Sequence, residues 1–541
     1  MQLKKLLTTT LLTVSCVTVL SAQDILWEKS YGGKHAEYLY EAIATPDYGF
    51  ILAGSSVSGK NGNKEDLNKG DLDYWVWKMD EHGNLDWQKS FGGTKVDLLQ
   101  SIALTADGGF ILGGTSASDK GSDKTEACKG QEDFWVIKLN AKGQELWQRT
   151  IGGSGMEKLL SIAPTRDGGY ILGGSSSSDQ LKSDTGVSDP FGKSENSKGN
   201  LDFWVVKLDK NGTIAWQKTI GGRYMDELRS IHEISSGGYI LGGYSNSPAS
   251  GNKTEENPGL GDYWVVQLDE QGEIVWQKVY GGEQDDNLTA LIPTQDGGYL
   301  LGGSSNSEPG HVKTKSNGSG TDFWVVKLDE TGGIVWQQTY NYGKKDILTS
   351  LIENPDGSFL IGGYAQSEVE KSGTTPLVSQ KDKEGINDYI ALKIKADGEE
   401  LWSKTVGSKG DEVLKKVLET RDGGYLLAGT SNGSVSRDKK TAKGGNDFWV
   451  VKLKDKDKEE EERISLEAVP NPTEYFTNVI VSFDYTKGTA TLYDLGGRTI
   501  RSIPINGEKT IPVELTHLPT GIYVIEIKTD TQTGGVKVIK K

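Results

Sequence analysis

Two sets of carboxylates recur at fixed places along this 541-residue sequence, and they are the residues best suited to chemistry. The first set follows the marker tryptophans Trp27, Trp87, Trp147, Trp216, Trp276, Trp336 and Trp402, always at the same interval: Glu37, Asp97, Glu157, Asp226, Asp286, Asp346 and Glu412. The second set is Asp73, Asp133, Asp202, Asp262, Asp322, Asp388 and Asp447, each directly before an aromatic residue. A ring of carboxylates at the mouth of a channel suits calcium or a cationic ligand, because hard cations take several oxygen ligands. Calcium sites, however, concentrate their oxygens in one loop, and the neighbouring loops here are rich in lysine. The favoured reading is therefore that each Asp or Glu accepts backbone N–H groups at a loop end and recurs because its repeat recurs. The first set is kept as the candidate ligand-rim carboxylates; calcium is compatible with them but not favoured, and no cofactor is expected.

Other catalytic signatures are missing from the sequence. His35, His82, His232, His311 and His517 fall at unrelated points of the repeat, and none forms a metal-ligand pairing such as HExxH. Gly153-Ser154-Gly155 and Gly318-Ser319-Gly320 lie among loop glycines rather than in the strand–turn–helix setting of a nucleophile elbow. The abundance of carboxylates leaves a glycoside hydrolase or lyase as the alternative to a non-enzymatic protein.

The elements that must position these residues read as strands. Each marker tryptophan opens a segment such as LWQRTIGG, followed by an apolar–polar stretch (LLQSIALT), a turn and strand (ADGGFILGGTS), a polar loop, and a further strand (DFWVIKLN), with a period of about 60 residues. Period-2 alternation, β-branched and aromatic residues, and Asp-Gly-Gly turns predict consecutive antiparallel hairpins. A four-stranded unit cannot bury both its faces alone. Seven of them arranged radially can, which predicts an all-β, seven-bladed β-propeller over an open β-solenoid. Paired glycines such as Gly113-Gly114 and Gly173-Gly174 suit strands with crowded neighbours. Numbered outward from the channel, the chain begins on a fourth strand (Ile25 to Tyr31) and ends its repeats on a third (Asp447 to Leu453), so the N-terminal strand is expected to complete the last blade. The loops between second and third strands (Ser56 to Leu72, Ser116 to Glu132, Ser176 to Leu201, Ser245 to Gly261, Ser305 to Thr321, Ala365 to Asn387 and Ser431 to Asn446) share one rim, where binding would live. Their composition is also that of flexible linkers.

A formal charge of -16 disfavours nucleic-acid and anionic-membrane partners. The order Lys4-Lys5, an apolar run to Leu20, then Ser21-Ala22 predicts a secretory signal over residues 1–22. Cys128 is then the one mature cysteine, so packing rather than a disulfide must hold the fold. No other stretch is apolar enough to span a bilayer, and a monomer is expected.

The repeat unit, DGG[YF]IL-x-G, then D[FY]WV-x-K-L, then W-x-K, resembles one common in exported proteins of Bacteroidota. Three departures stand out: Ile390 for the third-strand tryptophan, Asn341-Tyr342-Gly343 for the double glycine, and Ser235-Ser236 before Gly-Gly. Residues 23–454 are assigned to the propeller and 455–465 to a charged linker. Over 466–541, VPNPT (Val469 to Thr473), LYDLGGRTI (Leu492 to Ile500), LPTGIYVIEI (Leu518 to Ile527) and a lysine-ended tail resemble, in order and spacing, the type A C-terminal sorting domain of type IX secretion. Alternation in Thr489 to Tyr493 and Tyr523 to Ile527 predicts a small Ig-like β-sandwich there. The resemblance implies the type IX machinery as a partner and a secreted or cell-surface location. The ligand is expected to be a protein or a glycan.

Overall fold

Each repeat folds into one antiparallel sheet whose strands follow chain order. A computed structural model describes residues 23–541 apart from 183–188, 319, 367–386 and 457–464, so the expected signal peptide lies outside the described residues. Blade one pairs Glu37–Ala44, Phe50–Ser56, Asp73–Met79 and Leu85–Phe91, and five further sheets repeat this order through Val406. The seventh combines Glu412–Glu419, Tyr425–Ser431 and Asp447–Lys454 with the N-terminal strand Asp24–Tyr31, so the ring closes by strand exchange between the two ends, as the phase of the repeat predicts. First strands of successive blades touch all the way round, Glu412–Glu419 meeting Glu37–Ala44 last.

The glycine pair in the second strand has two causes. In each blade the first strand carries a bulge facing this pair, or facing Ala53-Gly54 and Ala428-Gly429 in blades one and seven, for example between Leu159 and Ser161 opposite Gly174 and Gly173. A Cβ on Gly174 would lie 2.1 Å from the Lys158 carbonyl across that bulge, and one on Gly173 would lie 2.7 Å from Leu228 of the next blade. One glycine admits the bulge and the other admits the neighbouring sheet.

Aromatic residues join the blades. Third-strand tryptophans (Trp75, Trp135, Trp204, Trp264, Trp324, Trp449) are fully buried and meet the aromatic residue of the preceding blade, as in Phe203–Trp264 with ring centroids 4.8 Å apart. In blade six Ile390 replaces the tryptophan, and Tyr342 supplies a ring 5.8 Å from Phe323 within the same hydrophobic cluster. Two departures of the repeat thus compensate one another. The marker tryptophans lie on outer strands, half-buried except for the buried Trp402, and Trp87 packs 6.0 Å from Phe110 and lies over Gly143, a turn residue at φ +74.

The tail forms a second unit of two sheets: Leu466–Val469, Phe476–Val481 and Thr510–Glu514 in one, and Gly488–Asp494, Thr499–Ile505, Gly521–Thr529 and Thr533–Lys540 in the other. Val479, Leu492, Ile525, Ile527 and Val538 fill the space between them, matching the predicted alternation. No helix among the described residues is long and apolar enough to cross a membrane.

Candidate functional site

The long loops are strapped to the blades rather than loose. In each of blades one to five, a glutamine after the marker tryptophan accepts from the buried tryptophan indole and donates to a loop carbonyl: Gln88 accepts from Trp75 at 3.1 Å and donates to Asn63 at 2.8 Å. Gln148, Gln217, Gln277 and Gln337 repeat the arrangement. In the closing blade Glu28 takes the indole bond from Trp449 at 2.7 Å. The loops therefore form a defined rim.

Beneath that rim all seven first-set carboxylates are fully buried. Each accepts a backbone N–H from the turn before it: Gly33 to Glu37 at 2.9 Å, Gly93 to Asp97, Gly153 to Glu157, Gly222 to Asp226 and Gly282 to Asp286 at 2.7 Å, Tyr342 to Asp346 at 2.6 Å, and Ser408 to Glu412 at 2.9 Å. Serine hydroxyls add bonds, such as Ser56 to Glu37 at 2.9 Å and Ser247 to Asp226 at 3.0 Å. The second set is buried as well, and the members whose loops are described accept from those loops, as Asp73 does from the Lys69 N–H at 2.7 Å.

The structure brings the two sets together in pairs at the blade junctions. Asp97 N–H donates to the carbonyl of Leu72, the residue before Asp73, at 2.7 Å, and the same bond recurs from Glu157 to Glu132 and from Asp286 to Gly261. Except in blade five, where Asn341 stands, a glycine follows each outer strand beside the paired acids: a Cβ on Gly32 would fall 2.4 Å from Glu37 and 2.6 Å from Asp447, and one on Gly152 1.9 Å from Asp133 and 2.9 Å from Glu157. Burial, and then the facing carboxylate Asp286, pushes Asp262 up to about 8. Burial likewise raises Glu157 to about 7, and Asp73 and Asp388 to about 6.

Sequence reasoning missed the counterpart of these acids, a buried lysine in each described loop. Lys64, Lys124, Lys193, Lys253, Lys313 and Lys439 are almost wholly inaccessible. Lys253 Nζ donates to the Ser247 and Glu255 carbonyls at 2.8 and 2.9 Å and to Asn257 Oδ1 at 2.6 Å, while Lys439 Nζ lies 3.7 Å from Asp447. Burial pushes Lys193 down to about 8 despite the nearby Asp202 and Glu157. Each ammonium gathers loop oxygens as a bound cation would, and it does so between the two acids of its own blade. The available signal was its constant distance from the serine ending the second strand (Ser56, Ser116, Ser245, Ser305, Ser431). The corresponding loop of blade six lies outside the described residues; there Arg437 of blade seven reaches Asp388 at 3.5 Å.

The tail sits on the opposite, tight-turn face. Lys142 pairs with Glu508 at 3.0 Å, and Arg421 bonds the Pro46 carbonyl and Glu467. Between the two units lies a cleft of about 810 Å³ lined by Trp87, Phe110, Ile503 and Pro504 among others. Propeller contacts run on past Lys454: Asp455 is buried, accepting from Tyr425 Oη at 2.8 Å and lying 3.4 Å from Lys393 Nζ, and Lys456 N–H donates to Gln23 at 2.8 Å.

Residues 467–541 match the family described as a secretion system C-terminal sorting domain. The tail matches a protein-sorting module. This sorting-domain match supports type IX secretion of the chain, to the exterior or the cell surface. The chain is similar to the regulatory protein FlaEY of Caulobacter vibrioides, 23% identical over 471 residues, covering 79% of this chain and 46% of that protein. The chain thus spans about half the length of the curated relative it matches. Solved structures to which the chain is similar include a fungal alcohol oxidase of the AA5 family in complex with copper (12% identity, TM-score 0.42, covering 96% of this chain and 100% of that one). Another is the Pan2 WD40 domain of Neurospora crassa (10% identity, TM-score 0.40, covering 77% and 89%). Likeness at this level carries no functional argument.

Proposed function

We propose that this chain is a non-enzymatic binding or scaffold protein, exported behind an N-terminal signal, carried across the outer membrane by its sorting-domain tail, and recognising a protein or glycan through the long-loop rim. The observation that carries the reading is the division of faces. The tail occupies the turn face, while glutamine straps and buried lysines hold the rim loops in place on the other. A rigid rim lowers the ordering cost of binding. The repeating carboxylates are buried and hydrogen-bonded to backbone, whereas a glycosidase needs carboxyl groups that reach the sugar. Large apolar side chains stand exposed on separate loops, Leu67 at 69%, Leu260 at 62% and Val435 at 60%. An array of glycans and proteins probed with the full-length chain tests the reading. Alanine at Leu67, Leu260 and Val435 is expected to weaken capture; capture unchanged by all three would remove the rim from the proposal.

A further inference from the structure

The bulge in every first strand leaves one residue unpaired and re-aims it, a device common beside functional sites. Its occupants, one per blade, are Tyr40, Gln100, Leu160, Arg229, Thr289, Thr349 and Lys415. Because the first strands line the centre of the ring, these residues share one level of the channel. Five are neutral. The two cations come from blades four and seven, which face each other across a seven-membered ring.

Both cations keep donors without acceptors among the described residues, Arg229 Nε being buried with none. Arg229 bonds Glu227 on its own strand, and no other acceptor meets its guanidinium among the described residues. Lys416, next to Lys415, is committed to Glu41 at 3.0 Å. Lys415 itself lies 5.5 Å over the ring of Tyr40 and has no hydrogen bond or ion pair among the described residues. The contrast with the rest of the molecule is sharp, since the buried loop lysines all hold oxygen acceptors, Lys313 for example donating to Ser307 and Lys315 carbonyls at 2.8 and 2.6 Å. Burial first, and then the charge of Arg229, hold Lys415 below its usual range, so the two cations sense one another. Like charges that face one another across a channel repel unless an anion lies between them.

We propose that the central channel binds an oxyanion between Arg229 and Lys415, either the carboxylate of an acidic sugar or a free inorganic anion such as sulfate. The planar guanidinium suits two oxygens of such a group and the ammonium supplies a point charge from the other side. Tyr38, 36% exposed two residues before Tyr40, offers an aromatic surface to an attached sugar ring. This site is independent of the rim proposed above.

Calorimetric titration of the full-length chain at low ionic strength, with sodium sulfate, galacturonate and galactose, tests the proposal. At least one of the anions is expected to bind at a single site and galactose is not. Arg229→Gln and Lys415→Met are each expected to raise Kd tenfold or more while leaving the melting temperature within a degree or two of the parent; should one variant fail to fold, the other carries the test. Sulfate without galacturonate identifies a free-anion site, and galacturonate without sulfate a carboxylate site; both uphold the proposal. Galactose binding as tightly as galacturonate, neither anion binding, or folded variants that bind like the parent would each overturn it.

Discussion

At the turn face and at the rim the protein uses the same residue types, aspartate and lysine, with opposite results. On the turn face each Thr-x-Asp turn aims its carboxylate at a buried third-strand lysine: Asp47 at 3.1 Å from Lys78, Asp107 at 3.0 Å from Lys138, Asp167 at 2.8 Å from Lys207 and Asp422 at 2.7 Å from Lys452. Burial pushes these acids upward but is outweighed by the ammonium and the threonine hydroxyl, so that they lie low, Asp296 at about 2. At the rim the acids face other acids while the lysines satisfy loop carbonyls, and burial wins. The difference teaches that a recurring acid is defined by whether its lysine is spent on it or on the backbone. Residue type alone does not separate the two.

Both faces exist only in a closed ring, so the largest effect is expected from removing the strand Asp24–Tyr31. Deletion of residues 23–33 leaves the edge of Asp447–Lys454 unpaired, and loss of the cooperative melt or oligomerisation by edge pairing is expected in calorimetry and light scattering. A truncated chain that melts like the parent would break the closure on which the comparison depends. Next in size, Lys253→Met removes an ammonium with three acceptors and leaves Asp226 and Asp262 without their cation, at a cost of about 3 kcal/mol in denaturant unfolding.

The pH dependence separates the faces by sign. Rim carboxylates raised to about 6 to 8 stabilise the fold fully below the ordinary carboxylate range of about 4, and that contribution fades as pH rises through 6 to 8. Turn-face aspartates, lowered, keep their contribution throughout that window and lose it only as pH falls below about 4. The melting temperature is therefore expected to decline by a few degrees from pH 5 to pH 8. Asp262→Asn should flatten part of that slope and Asp296→Asn should not; equal slopes in all three proteins would refute the contrast.

Blade four provides a smaller test. Its turn carries Ser236 where the others carry aspartate, and its third strand carries Gln267 where the others carry lysine. Restoring both with Ser236→Asp and Gln267→Lys is expected to show a favourable coupling of about 0.5 kcal/mol in a double-mutant cycle. The smallest effect concerns the tail, which meets the propeller through partly exposed ion pairs. Truncation after Lys456 should leave the propeller melt unchanged but abolish surface delivery, whereas truncation after Lys454 should lower the melt by stripping Asp455 from Lys393 and Tyr425. Delivery of the shorter chains at parental levels would remove the tail from the export route.

Much of the architecture was legible because it is repetitive. Alternation, turn glycines and the marker tryptophans mark out strands, and the phase of the repeat by itself places Asp24–Tyr31 beside Asp447–Lys454. The coupled departures were not legible. Ile390 and Tyr342 lie far apart along the chain, and only packing shows one ring standing in for another. The lysine of the rim belt was visible as a spacing but not as a buried group, because lysines in polar loops ordinarily face water.

By itself the sequence determined the strands, their order and the closing of the ring, since these follow from local periodicity and from which strand the chain begins and ends on. Only the tertiary structure decided what the repeating acids do. Whether a carboxylate is held low by an ammonium or pushed up by burial beside another acid depends on distances across blade junctions and on desolvation, and both arise from packing residues that the sequence keeps apart.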